Sequence, residues 1–106
     1  MIYVFLADGF EETEAIAPID MLRRAKLDVK TVGVGTAAPV SSHGIRVTAD
    51  ITESEVKLDS DLQLIVLPGG MPGTLNLDKS QTVHSAIEYC VKNSIHVGAI
   101  CAAPSI

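Results

Sequence analysis

The chain has 106 residues, 47% of them hydrophobic, so one small domain with a buried core is within reach. Its net charge is −5, and beyond Arg23-Arg24 its basic residues form no cluster, which argues against nucleic acid as a partner. No apolar run approaches the about 20 residues that a bilayer crossing needs. The apolar start at residues 1–7 carries neither a basic leader nor a cleavage site, so a cytoplasmic protein without membrane contact is expected.

Residues 1–7 (MIYVFLA) form a β-rich apolar run of the kind buried on both faces of a sheet. Asp8-Gly9 breaks it. Glu11, Glu12 and Glu14 then open a helix, where carboxylates suit the positive end of the dipole, and Ala15, Ile16, Ile19, Leu22 and Ala25 recur at helical spacing. Pro18 is expected in or near the first turn, because deeper in it would kink the helix. Residues 28–34 (DVKTVGV) read as a second strand. Residues 39–49 (PVSSHGIRVTA) read as a small hairpin or pair of short strands with His43-Gly44 at the turn. Residues 51–58 are polar, with room for one helical turn, and residues 62–67 (LQLIVL) are a buried strand. Residues 68–73 (PGGMPG) form a loop. Residues 80–93 predict a helix capped by Ser80, with Val83, Ile87 and Val91 on one face, and residues 97–100 predict the last strand.

Strands that alternate with helices predict an α/β fold, a mainly parallel sheet with helices on both faces. In such sheets functional residues gather beyond the carboxyl ends of the strands. Three segments meet that condition: residues 8–14, residues 68–73 and Cys101. They are expected to share one crevice. The chain stops at Ile106, shortly after the proposed turn at Cys101. We therefore expect the N-terminal portion of a longer domain, with its last strand left as an open edge.

Cys101 ends an apolar segment (His96-Val97-Gly98-Ala99-Ile100) read as buried, and small residues follow it. A strand stopping there can turn straight into a helix, placing the thiol at unpaired N–H groups that favour thiolate. That is the layout of a nucleophile elbow without the Ser-centred G-x-S-x-G motif. The alternative reading is an inert buried cysteine. A cysteine nucleophile also needs oxyanion donors, and the backbone N–H groups of Gly69-Gly70, with that of Ala102 as a second donor, are the candidates. Gly69-Gly70 read by itself is an ordinary strand-ending turn. Glu14 is the candidate carboxyl partner: ionised, it would repel a thiolate, and protonated, it would donate a hydrogen bond to it. Otherwise it is a solvated first-turn carboxylate like Glu11 and Glu12.

The remaining candidates are weaker. Cys90 reads as helix packing, and His43 and His84 as solvated. His96 opens a strand at the end away from the crevice, so no His is placed to serve Cys101 as a base. Two free thiols in a reducing compartment are expected rather than a disulfide. No metal-ligand spacing, G-x-G-x-x-G or Walker loop occurs, so neither a metal nor a cofactor is expected.

Taken in order, Gly9-Phe10-Glu11-Glu12-Thr13-Glu14 with Pro18-Ile19-Asp20, Leu67-Pro68-Gly69-Gly70, and Ala99-Ile100-Cys101-Ala102-Ala103-Pro104 resemble the DJ-one/ThiJ/PfpI superfamily, in its small single-domain DJ-one-like branch. The resemblance implies a flavodoxin-like sandwich related to class I glutamine amidotransferase domains, and a homodimer. It puts Cys101 on the reactive elbow cysteine and Glu14 on the acid whose protonated carboxyl meets that sulfur. Gly70 and Ala102 fall on the backbone donors. It also implies a cysteine readily oxidised to sulfinic acid. Where some members carry another cysteine, this chain has Ser41-Ser42.

Three functions follow from that resemblance. The first is a cysteine-dependent enzyme acting on a small carbonyl substrate, glyoxalase- or deglycase-like. The second is a non-enzymatic oxidative-stress sensor or chaperone acting through oxidation of Cys101. The third, ranked low for want of a visible base, is a peptidase or amidase. A thiazole monophosphate (thiamine) biosynthesis role finds no phosphate-binding loop.

Overall fold

The computed structural model describes residues 1–101 and 103–106. Its elements run β1 (Ile2–Ala7), α1 (Glu12–Arg24), β2 (Val29–Val34), β3 (Ile51–Thr52), a 3-10 helix (Glu53–Glu55), β4 (Leu64–Leu67), α2 (Gly73–Asp78), α3 (Gln81–Lys92), β5 (His96–Ala99) and a second 3-10 helix (Ala103–Ser105). The five strands form one sheet in the order β3-β2-β1-β4-β5, and every pairing is parallel.

β1 lies at the centre, and all six of its residues are buried, as a strand covered on both faces requires. Its side chains alternate between two cores. Tyr3, Phe5 and Ala7 pack with Leu77 of α2 and Val83, Ala86 and Cys90 of α3. Ile2, Val4 and Leu6 pack with Ala15 and Ile19 of α1. The expected helices on both faces are present. Chain order reverses direction across the sheet at β1, with β2 on one side and β4 on the other. The crevice above the carboxyl ends of those strands is the switch point where such sheets place their sites.

Several sequence readings need correction. Pro18 sits inside α1, beyond the first turn, so the N–H that would meet the Glu14 carbonyl is missing. The helix persists because Glu11 caps it and because Ala15 and Ile19 are anchored in the core. The capping side chain accepts from the Glu14 N–H at 2.9 Å. The loop expected at residues 68–73 ends one residue earlier, at Gly73, where α2 begins with its backbone packed closely on Gly9 and Phe10; the sequence reading assigns nothing to the rest of α2. β3 is a short strand where only a polar turn was expected, and the helical turn predicted there is the 3-10 helix that follows it. The hairpin expected at residues 39–49 is present: the Ser41, Val47 and Ala49 N–H groups donate across it to the Ile45, Pro39 and Ala37 carbonyls, although regular strand pairing is confined to one antiparallel bridge, Val40 to Arg46. Serine side chains take backbone bonds that strands would otherwise exchange, as where Ser41 Oγ accepts from the Ile45 N–H at 2.9 Å.

On α3, Ser80 caps as predicted, accepting from the Val83 N–H at 3.2 Å. The buried face, however, is Val83, Ala86 and Cys90, and Val91 is 73% exposed. A turn of 3.6 residues carries position 91 off the stripe that 83 begins. β5 is not the buried segment expected from its composition: His96 and Val97 are exposed, because β5 is the sheet edge in this chain. The open edge that was also expected is therefore present.

Candidate functional site

Three loops converge above β1, β4 and β5. The first is the turn from β1 into α1, where the Gly9 N–H donates to the Val40 carbonyl and the Glu11 N–H to the Gly69 carbonyl, at 2.8 and 2.9 Å. The second is Gly69-Gly70 after β4. The third is Cys101 after β5.

Gly69 is the keystone of this meeting. Its N–H donates to Glu14 Oε1 at 3.0 Å. A Cβ built on Gly69 would lie 2.5 Å from Glu14 Oε1, 2.8 Å from Cys101 Cβ and 2.8 Å from the Ile100 carbonyl oxygen. Both predicted side chains, Glu14 and Cys101, are therefore held against one glycine, from opposite ends of the chain. Gly70 has φ of +101°, and a Cβ there would lie 2.5 Å from the Glu11 nitrogen and 2.8 Å from the Gly9 carbonyl oxygen. Only glycine satisfies both the angle and the space. The Gly70 carbonyl accepts from the Thr74 N–H at 2.9 Å. Among the described residues its own N–H makes no hydrogen bond, which leaves it free to donate to a bound oxygen. Ala102, the other predicted donor, lies outside the described residues.

Cys101 is exposed and has φ of +57°, in the left-handed region that non-glycine residues seldom occupy. Strained backbone of this kind clusters at functional sites, and a sharp strand-to-turn nucleophile uses it to lift its side chain out of the sheet. The reading of Cys101 as an inert buried thiol is overturned by its exposure. The helix expected after it is the three-residue 3-10 helix Ala103–Ser105. Cys90 is fully buried in the core, where desolvation pushes its thiol up.

Glu11 and Glu12 are not merely solvated. Glu11 is the cap of α1. Glu12 binds the arm at residues 41–46: His43 Nδ1 makes a short hydrogen bond to Glu12 Oε1, and the His43 N–H points at Oε2 from 3.4 Å. The neighbouring Ser41 hydroxyl and the His43 hydrogen bond hold the Glu12 carboxyl down at about 2, and the same carboxylate raises His43 above 6.5. This pairing gave no sequence signal, because 31 residues separate the partners. Although Glu11, Glu12 and His43 present ligand atoms within 4.8 Å of one another, the cap and the ion pair already occupy those carboxylates. The positive end of α1 beneath them also opposes a cation. His84 is not simply solvated, since its Nε2 meets the Asp78 carbonyl at 2.7 Å. His96 opens β5 at the end away from the crevice, as expected.

A cleft of about 410 Å³ at Asp8, Gly35, Glu53 and Ser80 opens at the same edge of the sheet, without Cys101 or Glu14 in its lining. Its carboxylates are engaged: Glu53 accepts from the Gly35 N–H at 2.8 Å and from Ser80 Oγ at 2.6 Å. Asp8 accepts from the Val40 N–H at 2.9 Å.

A profile of the DJ-1/PfpI family matches residues 1–106. The chain is 37% identical over 106 residues to Protein DJ-1 homolog B of Arabidopsis thaliana, covering 99% of this chain and 24% of that one. It superposes on a DJ-1 superfamily protein from Salmonella typhimurium with a TM-score of 0.90 at 36% identity, covering 98% of this chain and 56% of the other. With the oxidized Toxoplasma gondii DJ-1 the TM-score is 0.87 at 32% identity, with coverage of 98% and 56%. The sheet and its helices are thus those of the flavodoxin-like DJ-1 fold. The chain spans between a quarter and just over half the length of these relatives.

Proposed function

The chain belongs to the DJ-1/PfpI family, and from that premise we propose that it is a cysteine-dependent enzyme acting on small reactive carbonyls, glyoxalase- or deglycase-like in outcome. The observation that carries this reading is the meeting of Glu14 Oε1 and Cys101 Cβ at Gly69. It brings a carboxyl to an exposed cysteine beside a free backbone donor.

In the proposed reaction Cys101 Sγ adds to the aldehyde carbon of an α-oxoaldehyde such as methylglyoxal. The carbonyl electron pair moves to oxygen, where the Gly70 N–H, with Ala102 as second donor, receives it. Glu14 carries the proton between sulfur, oxygen and carbon. One water is taken up overall to give the hydroxy acid and regenerate the thiol, and an early amine or thiol adduct would also release its amine or thiol. The test is lactate formation from methylglyoxal. Cys101→Ser is expected to abolish it, and unchanged turnover would end the proposal.

A second reading is supported by the contrast between exposed Cys101 and buried Cys90, and by the oxidized state of the Toxoplasma relative. Here peroxide adds two oxygens to Cys101 Sγ in turn, each step releasing water, and the sulfinate changes the charge of the crevice. Two added oxygens on Cys101 by mass spectrometry, in protein without carbonyl turnover, would favour it. Either reading is of a cytoplasmic homodimer, which sedimentation and fractionation test.

A further inference from the structure

The arm at residues 41–46 is tied firmly at its base and lightly at its tip. At the base, the Ser42 N–H donates to the Phe10 carbonyl and the Ser41 N–H to the Ile45 carbonyl, both at 2.8 Å. At the tip, the side-chain link to α1 is the His43–Glu12 pair, with Ser42 Oγ 3.5 Å from the same carboxylate. We propose that this arm is a pH-released strap over the start of α1, closed by His43 and Glu12 and coupled through the first helical turn to the seat of Glu14 beside Cys101. The proposal rests on the geometry of α1 and not on the carbonyl chemistry.

The coupling has a short physical route. Glu12, which holds the strap, stands next to Glu11, whose side chain caps the Glu14 N–H at 2.9 Å. The Glu11 N–H in turn donates to the Gly69 carbonyl, and the Gly69 N–H holds Glu14 Oε1. Loosening the first turn therefore moves the carboxyl that faces Cys101.

The charged groups facing His43, among the described residues, are Glu12 and then Glu11, both on α1. On its own arm Arg46 is turned away to the Ala38 carbonyl at 3.1 Å. With His43 raised by its carboxylate partner, the strap's contribution is complete below pH 6.5 and disappears as pH rises through the higher folded value. Glu12, lowered to about 2, stays ionised throughout that interval. The strap is thus closed in mild acid and released on the alkaline side. The His43 side chain is 74% exposed, although that of Glu12 is only 17% exposed, so solvent screens the pair from the His43 side and the effect is small and local.

Amide hydrogen exchange on the full chain tests this without any activity. After correction for the intrinsic rate, protection of the His43 amide, which points at Glu12 Oε2, is expected to fall about two- to fivefold from pH 5.5 to 8.5, while the Ser42 amide at the base holds. The fall should track the titration of the His43 ring, while β1 amides stay constant. His43→Gln, on an exposed arm, should fold and show no such fall, and Glu12→Gln should lower the His43 midpoint. Protection that ignores pH, or a fall that survives in His43→Gln, would overturn the strap. The ratio of Cys101 alkylation rates in wild type and His43→Gln should change over the same interval. A constant ratio would overturn the coupling to Cys101.

Discussion

Gly69 and Glu14 stand 55 positions apart in the chain, yet the glycine N–H donates to Glu14 Oε1 at 3.0 Å. The same glycine abuts Cys101 Cβ, so its missing side chain is the space in which the carboxyl and the cysteine meet. The absence of a side chain at residue 69 thereby lets the two approach one another.

Gly69→Ala is accordingly predicted to disturb both stability and site. The added methyl would press on two backbone-anchored neighbours, the Ile100 carbonyl and Cys101 Cβ, neither of which can swing aside. A cost of about 1–3 kcal/mol is expected, or roughly 4–8 °C in Tm for each kcal/mol. Calorimetry reads the first effect and the rate of Cys101 alkylation the second. A variant with unaltered Tm and alkylation would show that the three loops do not meet at Gly69.

The two thiols should be separable without unfolding. Cys101 is exposed, whereas Cys90 is fully buried and its thiol is pushed up by desolvation. An aromatic disulfide reagent should therefore titrate one thiol quickly in native protein. The second should follow more than about 100-fold slower, or only in denaturant. Cys101→Ser should remove the fast phase, and a fast phase that survives would place the reactive sulfur at Cys90.

Asp50 ties the edge of the sheet together. Its carboxylate accepts from the Thr31 N–H at 2.9 Å and from the Arg23 guanidinium at 2.7 Å, and its own N–H donates to Thr31 Oγ1 at 2.8 Å. Burial pushes this carboxyl up, but the Thr31 hydrogen bonds and the Arg23 charge outweigh it and leave Asp50 below its ordinary 3.8. Its contribution is therefore full above pH 3.8 and lost as pH falls through the lowered folded value. Asp50→Asn should cost about 1 kcal/mol at pH 7 and nearly nothing once both states are protonated. Urea midpoints at pH 7 and under strong acid check this; an equal cost at both would remove the ionic contribution.

Thr74 offers a prediction of opposite sign. Its hydroxyl is buried and without a hydrogen-bond partner among the described residues. Thr74→Val keeps the shape and removes a desolvated polar atom, so Tm should hold or rise by the equivalent of about 1 kcal/mol. A clear fall would reveal a partner for that hydroxyl.

Much of this molecule follows from local rules that act within a strand or a helical turn. The unbroken apolar run at β1, the Ser80 cap, and the strand endings at Asp8, Pro68 and Cys101 predict a parallel sheet and name its functional edge, because strand alternation and helix capping depend on near neighbours. Sequence motifs likewise singled out Glu14 and Cys101, each with an innocuous alternative that local pattern left standing. Tertiary structure brings both residues to Gly69, a contact between distant segments that no periodicity encodes. It also decided that Val91 faces solvent, that Pro18 stays within α1, and that Glu12 reaches His43. In each case the deciding energy lies in packing or pairing between elements, and it exists only once the chain has closed on itself.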